Sequence, residues 1–122
     1  MGILSDLGNI SARVLNAFTE LDAVSVEFNH DISLLQRGPY PSYLKTRISG
    51  DFGHLNNEQA AKLIELIASD RLHTVVACHI SETNNDVALV NKALESVLKN
   101  REIEYRVASQ SDGFNWISVE RR

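Results

Sequence analysis

The clearest pattern along the chain is apolar runs of strand length alternating with apolar stripes at helical spacing. Ala23–Phe28 (AVSVEF) is apolar at Ala23, Val24, Val26 and Phe28 and reads as a strand, with Glu27 near its carboxyl end. Thr74–Cys78 reads as a second, more fully apolar strand, flanked by His73 and by His79–Ile80. Gly2–Leu4 is a short apolar run with the look of a strand's end. Val14, Leu15, Phe18 and Leu21 share one face of a helix over Ala12–Leu21, with Ser11 as its cap. Ala60, Leu63, Ile64 and Ile67 do the same over Asn57–Ser69, where Asn56 and Gln59 form a capping-box pair. Val87, Val90, Ala93, Leu94 and Val97 predict a last buried stripe, in a helix opened by Asn84 or Asn85 and running to about residue 100.

Between these elements, Ile32–Gln36 and Ser42–Ile48 predict short helical segments separated by the breaker Gly38–Pro39–Tyr40–Pro41. Ile103–Ser109 and Asn115–Glu120 predict two closing strands joined through Asp112–Gly113. Arg121 and Arg122 are expected to fray. Strands alternating with one-striped helices imply α/β layers: a mixed sheet with helices packed on one face. No internal repeat or low-complexity segment interrupts the 122 residues, which form a single domain, 1–122.

Composition narrows the function classes. Sixteen acidic residues stand against 12 basic ones, a net charge of −4. That balance excludes a chain-wide basic face for nucleic acid and leaves a local patch open. A nucleic-acid-binding domain is therefore a poorer fit than a hydrolase or an interaction module, and salt-sensitive binding to DNA or RNA would revive it. One cysteine, Cys78, rules out an internal disulfide and reads as an inert thiol in an apolar strand. No apolar run is long enough to span a bilayer, and MGILSDLG lacks the basic and apolar regions of a signal peptide. No membrane partner and a cytoplasmic location are the expectations.

Asp6, Glu27, His30, His54 and His79 each lie at a strand end or in the loop beyond it. In a layered α/β fold such loops gather on one edge, where carboxylates and imidazoles can hold a divalent ion or move protons. Each also has a plain structural reading. Asp6 can satisfy turn amides, Glu27 can pair with a cation, and His54 can cap a helix. His79 can be an edge histidine bonded to backbone, and His30, in Asn-His-Asp, reads first as a turn residue. His73, beside Arg71, reads as surface.

Five stretches in order carry a resemblance: SDLG (5–8), VEFNHD (26–31), LLQRGPYPSYLKTRISGDFGHLNNEQAA (34–61), CHISETNN (78–85) and ASQSDGFNW (108–116). With them the chain resembles the C-terminal half of bacterial metallo-β-lactamase-fold hydrolases, in the phosphodiesterase and exonuclease-like branch, with ribonuclease Z a more distant relation. The resemblance implies half of an αββα sandwich. It implies that Asp6 bridges two metal ions and that His79 is a histidine ligand of the second. His54 would approach the scissile phosphate, with Glu27 helping it as a proton shuttle. The cofactor would be zinc or manganese, and the chemistry two-metal hydroxide attack on a phosphodiester.

The family's His-x-His-x-Asp-His motif is absent, as is the histidine that precedes the Asp6 motif. Two ligand positions do not make a tight zinc site. The expectation is the C-terminal portion of a metal-dependent hydrolase, inactive alone and completed by the missing N-terminal half, in cis or as a separate chain. The alternatives are a homodimer that mimics the two halves, or a non-catalytic half-domain kept for binding or assembly.

Overall fold

The computed structural model describes residues 1–121; Arg122, expected to fray, lies outside them. Four strands, β1 (Gly2–Leu4), β2 (Ala23–Glu27), β3 (Thr74–Cys78) and β4 (Glu104–Val107), pair in the order β1-β2-β3-β4. Every pairing is parallel. The α/β layering follows the expectation, but the sheet of the described residues is parallel throughout. The closing hairpin that would have made it mixed does not form: Asn115–Glu120 is not a strand. Asp112–Gly113 does turn the chain, with Gly113 at φ +57° and a single bridge from Ser109 to Gly113. The turn chemistry held locally and no strand pairing followed it.

Strand order explains where the helices lie. Each crossover steps to the next strand in the same direction, and parallel crossovers are right-handed, so the connecting helices fall on one face. These are α1 (Ala12–Ala17), α4 (Asn57–Ile67) and α5 (Val87–Leu98), with α4 packed against both others. Val24, Val26, Phe28, Val75 and Ala77 from the sheet meet Leu63, Ile64, Val90 and Leu94 from the helices in one core. All nine are at most 1% exposed, and burying side chains of this kind fully contributes about 1.5–3 kcal/mol for each large one.

Helix boundaries follow their caps. Asn56 and Gln59 complete the capping box that opens α4. α5 begins later than expected because Asp86, not Asn84 or Asn85, accepts from the Ala88 N–H. Val87, expected in the stripe, is therefore in the first turn and 42% exposed. α1 ends at Ala17, short of the expected Leu21, although Phe18 and Leu21 still pack on the core.

Two further helices, α2 (Ile32–Arg37) and α3 (Ser42–Ser49), interrupt the crossover between β2 and α4. Asp31 caps α2 through the Leu34 N–H. The Gly38–Pro41 breaker separates the pair, and Gly38 lies so close to Asn84 that a Cβ there would sit 2.9 Å from its Oδ1.

The sheet's second face carries no helix. Ala23, Thr74 and Val76 line a cavity of about 480 Å³ there, together with Met1 and residues 114–117 and 119. The chain after β4 thus crosses this face as irregular backbone. It is tied at His73, whose Nε2 meets the Glu120 carbonyl, so His73 is half-buried rather than plain surface.

Candidate metal and phosphodiester site

The carboxyl ends of β1, β2 and β3 bring together Asp6, Glu27, His54 and His79, one potential ligand atom from each lying within 4.8 Å of the others. Of the five residues singled out in sequence, four converge. His30 does not join them. It is 1% exposed beneath the edge, not in an open turn. Its carbonyl accepts from the Asn57 N–H, its backbone bridges to Asn56, and its Nδ1 meets Asn29 Oδ1 at 3.2 Å. Burial, and secondarily the charge of nearby His54, push its imidazole below its ordinary 6.5, while Asp31 pulls the other way.

Glu27 is the hub. Its side chain is fully buried, yet both oxygens are engaged. Oε1 lies 2.6 Å from Nδ1 of His54 and 2.6 Å from Nδ1 of His79. Oε2 accepts from the Asp6 N–H at 3.0 Å. A carboxylate only accepts, so each ring donates Nδ1–H and keeps its Nε2 lone pair for something else. Carboxylates behind metal-binding histidines act in this way, fixing tautomer and ring orientation. The rings of His54 and His79 stand edge to face, 79° apart with centroids at 5.3 Å. Asp6 reaches the group from the open side, with Oδ1 3.5 Å from His54 Nδ1.

Local backbone geometry aims these groups. Asp6 and His79 both sit in the left-handed region, at φ +57° and +55°, where residues with a Cβ are uncommon. Such conformations persist when the surroundings over-determine them. For Asp6 the tie is its N–H to Glu27. For His79 it is the Asn29 amide, which donates to the His79 carbonyl at 3.3 Å, while the Ser81 N–H donates to the Asn29 carbonyl at 2.9 Å.

Two glycines fix His54 relative to Asp6. A Cβ on Gly8 would lie 2.2 Å from the Asp51 backbone, and one on Gly53 would lie 2.2 Å from the Ile48 carbonyl oxygen. Only glycine permits these approaches. The SDLG turn therefore packs directly on the Gly50–Gly53 loop. His54 closes that loop by donating its N–H to the Ile48 carbonyl at 2.9 Å.

Below the site, Asn57 and Asn85 exchange amide hydrogen bonds of 2.8 and 2.9 Å. Asn85 also donates to the Phe28 carbonyl, and its Oδ1 accepts from the Asp86 N–H. This buried clasp joins the start of α4, the end of β2 and the loop after β3. Its members, with Asn29, Gly8 and Gly53, are functional supports that sequence reasoning did not single out. The available signal was a polar asparagine or glycine immediately beside each candidate acid or histidine.

Cys78 is next to Glu27 in register and faces Ser25 Oγ at 3.2 Å. Burial pushes its thiol up, with Glu27 adding to the shift and the Ser25 hydrogen bond opposing it. The inert thiol expected from sequence agrees with that direction.

No protein-family profile matches the chain. It is similar to exodeoxyribonuclease YycJ of Bacillus anthracis, with 31% identity over 101 residues that cover 83% of this chain and 38% of that protein. It is equally similar to exodeoxyribonuclease WalJ of Streptococcus pneumoniae, in strains D39 and R6, at 31% over the same span. The chain thus spans 38% of the length of the curated relatives it matches.

Proposed function

We propose that this chain is part of a metal-dependent phosphodiester hydrolase of the metallo-β-lactamase fold, acting on DNA. The observation that carries the reading is Glu27, a fully buried carboxylate with two imidazoles held at 2.6 Å and their second nitrogens left free. A purely structural carboxylate has no need of two histidines at a solvent edge. Similarity to proteins named exodeoxyribonuclease supports the DNA substrate.

The donor set fits a divalent ion. Imidazole nitrogen and carboxylate oxygen suit zinc or manganese. Asp6 and His79 would hold the ion, with Glu27 behind. A bound ion there supplies Lewis acidity toward a phosphoryl oxygen and acidifies water. The remaining work belongs to the protein. His54, held through Nδ1 by Glu27, presents Nε2 to the phosphodiester to give or take a proton. Glu27 accepts from that Nδ1 and stabilises the imidazolium. Asp6 is anchored through its own N–H, so its carboxylate stays at the open side.

The ligand set is completed by further polypeptide, in the same chain or as a separate one, laid against the sheet's second face. Supporting this, the face bears no helix, and Met1, Ile3, Phe114, Trp116 and Val119 expose apolar side chains on it or along the segment crossing it. Those exposed residues also favour the second reading, a half-domain that serves assembly, including as a homodimer.

The test is elemental analysis of the purified chain beside His79→Ala, with hydrolysis of bis(p-nitrophenyl) phosphate on the same samples. Zinc or manganese bound by the wild type and lost in the variant supports the metal site, and turnover supports the hydrolase. Neither metal nor turnover, even after the remaining portion is supplied, would leave the assembly reading.

A further inference from the structure

We propose that the outer face of α3 and the loop after it, carrying Tyr43, Arg47 and Phe52, form the track on which a single strand of DNA approaches the Asp6–His54–His79 edge. The proposal rests on the hydrolase reading for its destination, and on separate residues for its substance.

Charge is segregated in this segment. Residues 32–50 contain Arg37, Lys45 and Arg47 and no acidic residue, within a chain of net charge −4. Among the described residues none of the three forms an ion pair with a carboxylate. Lys45 is turned toward α2, where its Nζ donates to the Gln36 carbonyl and its side chain lines a cavity with Thr46, Ser49 and His30. Tyr43 and Arg47, four residues apart and so on one helical face, lie on the opposite side. Both are exposed, Tyr43 at 76%.

Phe52 continues the line. Its side chain is 102% exposed, at the tip of a loop that cannot relax to cover it. Gly53 donates its N–H to the Gly50 carbonyl at 2.9 Å, and the backbone contacts of Gly8 and Gly53 fix both sides of the tip. A phenylalanine displayed on a fixed loop two residues before His54 offers a flat apolar surface beside the reacting centre. Along α3, Tyr43 is about 7.5 Å from the turn at Ile48 that anchors His54.

Aromatic platforms interleaved with cations bind single strands, because unpaired bases expose the faces that a duplex hides, and arginine takes the phosphates. That chemistry selects a single-stranded segment over duplex.

The test is fluorescence anisotropy of the full chain with a labelled oligothymidine of about fifteen nucleotides, across a salt series. Phe52→Ser and Tyr43→Ser are each expected to weaken binding about ten-fold. Arg47→Ser is expected to reduce the slope of log affinity against log salt by about 0.7. All three sites are exposed, and unchanged thermal melts confirm that the variants fold. No binding by the wild type at low salt, or binding indifferent to all three substitutions, overturns the proposal. Equal competition by a duplex of the same length overturns the single-strand assignment. His79→Ala separates this inference from the hydrolase reading. Oligonucleotide binding that depends on the three residues in a chain without metal or turnover sinks the hydrolase reading alone. A metal-binding chain whose oligonucleotide binding ignores them sinks the track alone.

Discussion

At the carboxyl edge of the sheet, loops from distant parts of the chain are tied to one another by named side-chain bonds. Glu27 holds Asp6, His54 and His79, and Asn29, Asn57 and Asn85 fasten the backbone beneath them. Residues 109–121, after β4, are held differently. They have a local turn at Ser109–Gly113 and a contact from His73 to Glu120, and they leave Trp116 101% exposed. Both regions mix apolar and polar residues. The difference is that at the edge each polar group has a partner elsewhere in the fold, whereas the last segment has apolar groups with too little to bury them. Specific polar ties, not composition, decide which loops are fixed.

The largest expected effect is at the hub. Glu27→Ala strips a buried acceptor from two imidazoles and a backbone N–H, and is expected to cost about 3–5 kcal/mol in urea unfolding. Metal retention is expected to fall with it, whereas Glu27→Gln, which keeps the shape, is expected to recover much of the stability but not the metal. A Glu27→Ala protein as stable as wild type would mean the edge is not held through this residue.

Asn85→Ala comes next. It leaves the Asn57 amide and the Phe28 carbonyl unpaired in the interior, at about 1–3 kcal/mol. The same denaturant titration reads it, and a shift in the metal-binding isotherm beyond the stability loss would show the clasp reaching His54 and His79.

A smaller effect depends on pH. Because burial holds the folded imidazole of His30 below its ordinary 6.5, the unfolded chain takes up its proton first as pH falls. The stabilising contribution is present above 6.5 and is lost as pH drops from there toward the folded value. His30→Gln is expected to flatten that part of the acid limb in thermal melts at stepped pH. An unchanged limb would mean His30 is not the group that titrates.

The smallest effect is at the far side of the comparison. Trp116→Ser is expected to change stability by no more than about 0.5 kcal/mol, as for exposed sites generally. A larger loss in a melt would show that the segment after β4 is packed more firmly than its exposure implies, or that the face it crosses is covered in solution.

Fold and site were legible in sequence to different depths. β2, β3, α4 and the Asn56–Gln59 cap were readable because their apolar period coincides with burial in one core. The last hairpin was not, because Asp-Gly specifies a turn but not a neighbour for the strand beyond it. Asp6, Glu27, His54 and His79 could be read as a group from their places at strand ends and from family resemblance. That one carboxylate oxygen serves both rings could not, since it depends on the register that sets Glu27 beside Cys78. His30 misled because Asn-His-Asp has the composition of a turn, and only the bridge to Asn56 makes it interior. Asn85 misled in the same way: its amide points inward to Asn57, so Asp86 does the capping.

The backbone at Asp6 and His79 bears on how this chain tolerates change. Holding a residue with a Cβ in the left-handed region costs about 1–2 kcal/mol that glycine would avoid. A search for thermostable variants would therefore find gains at these two positions, partly offset by glycine's greater freedom in the unfolded chain. Each such gain would remove a donor from the metal edge. Stabilising selection without selection for chemistry would erase the site first where the backbone is most distorted, leaving the sheet, the clasp and the helices intact.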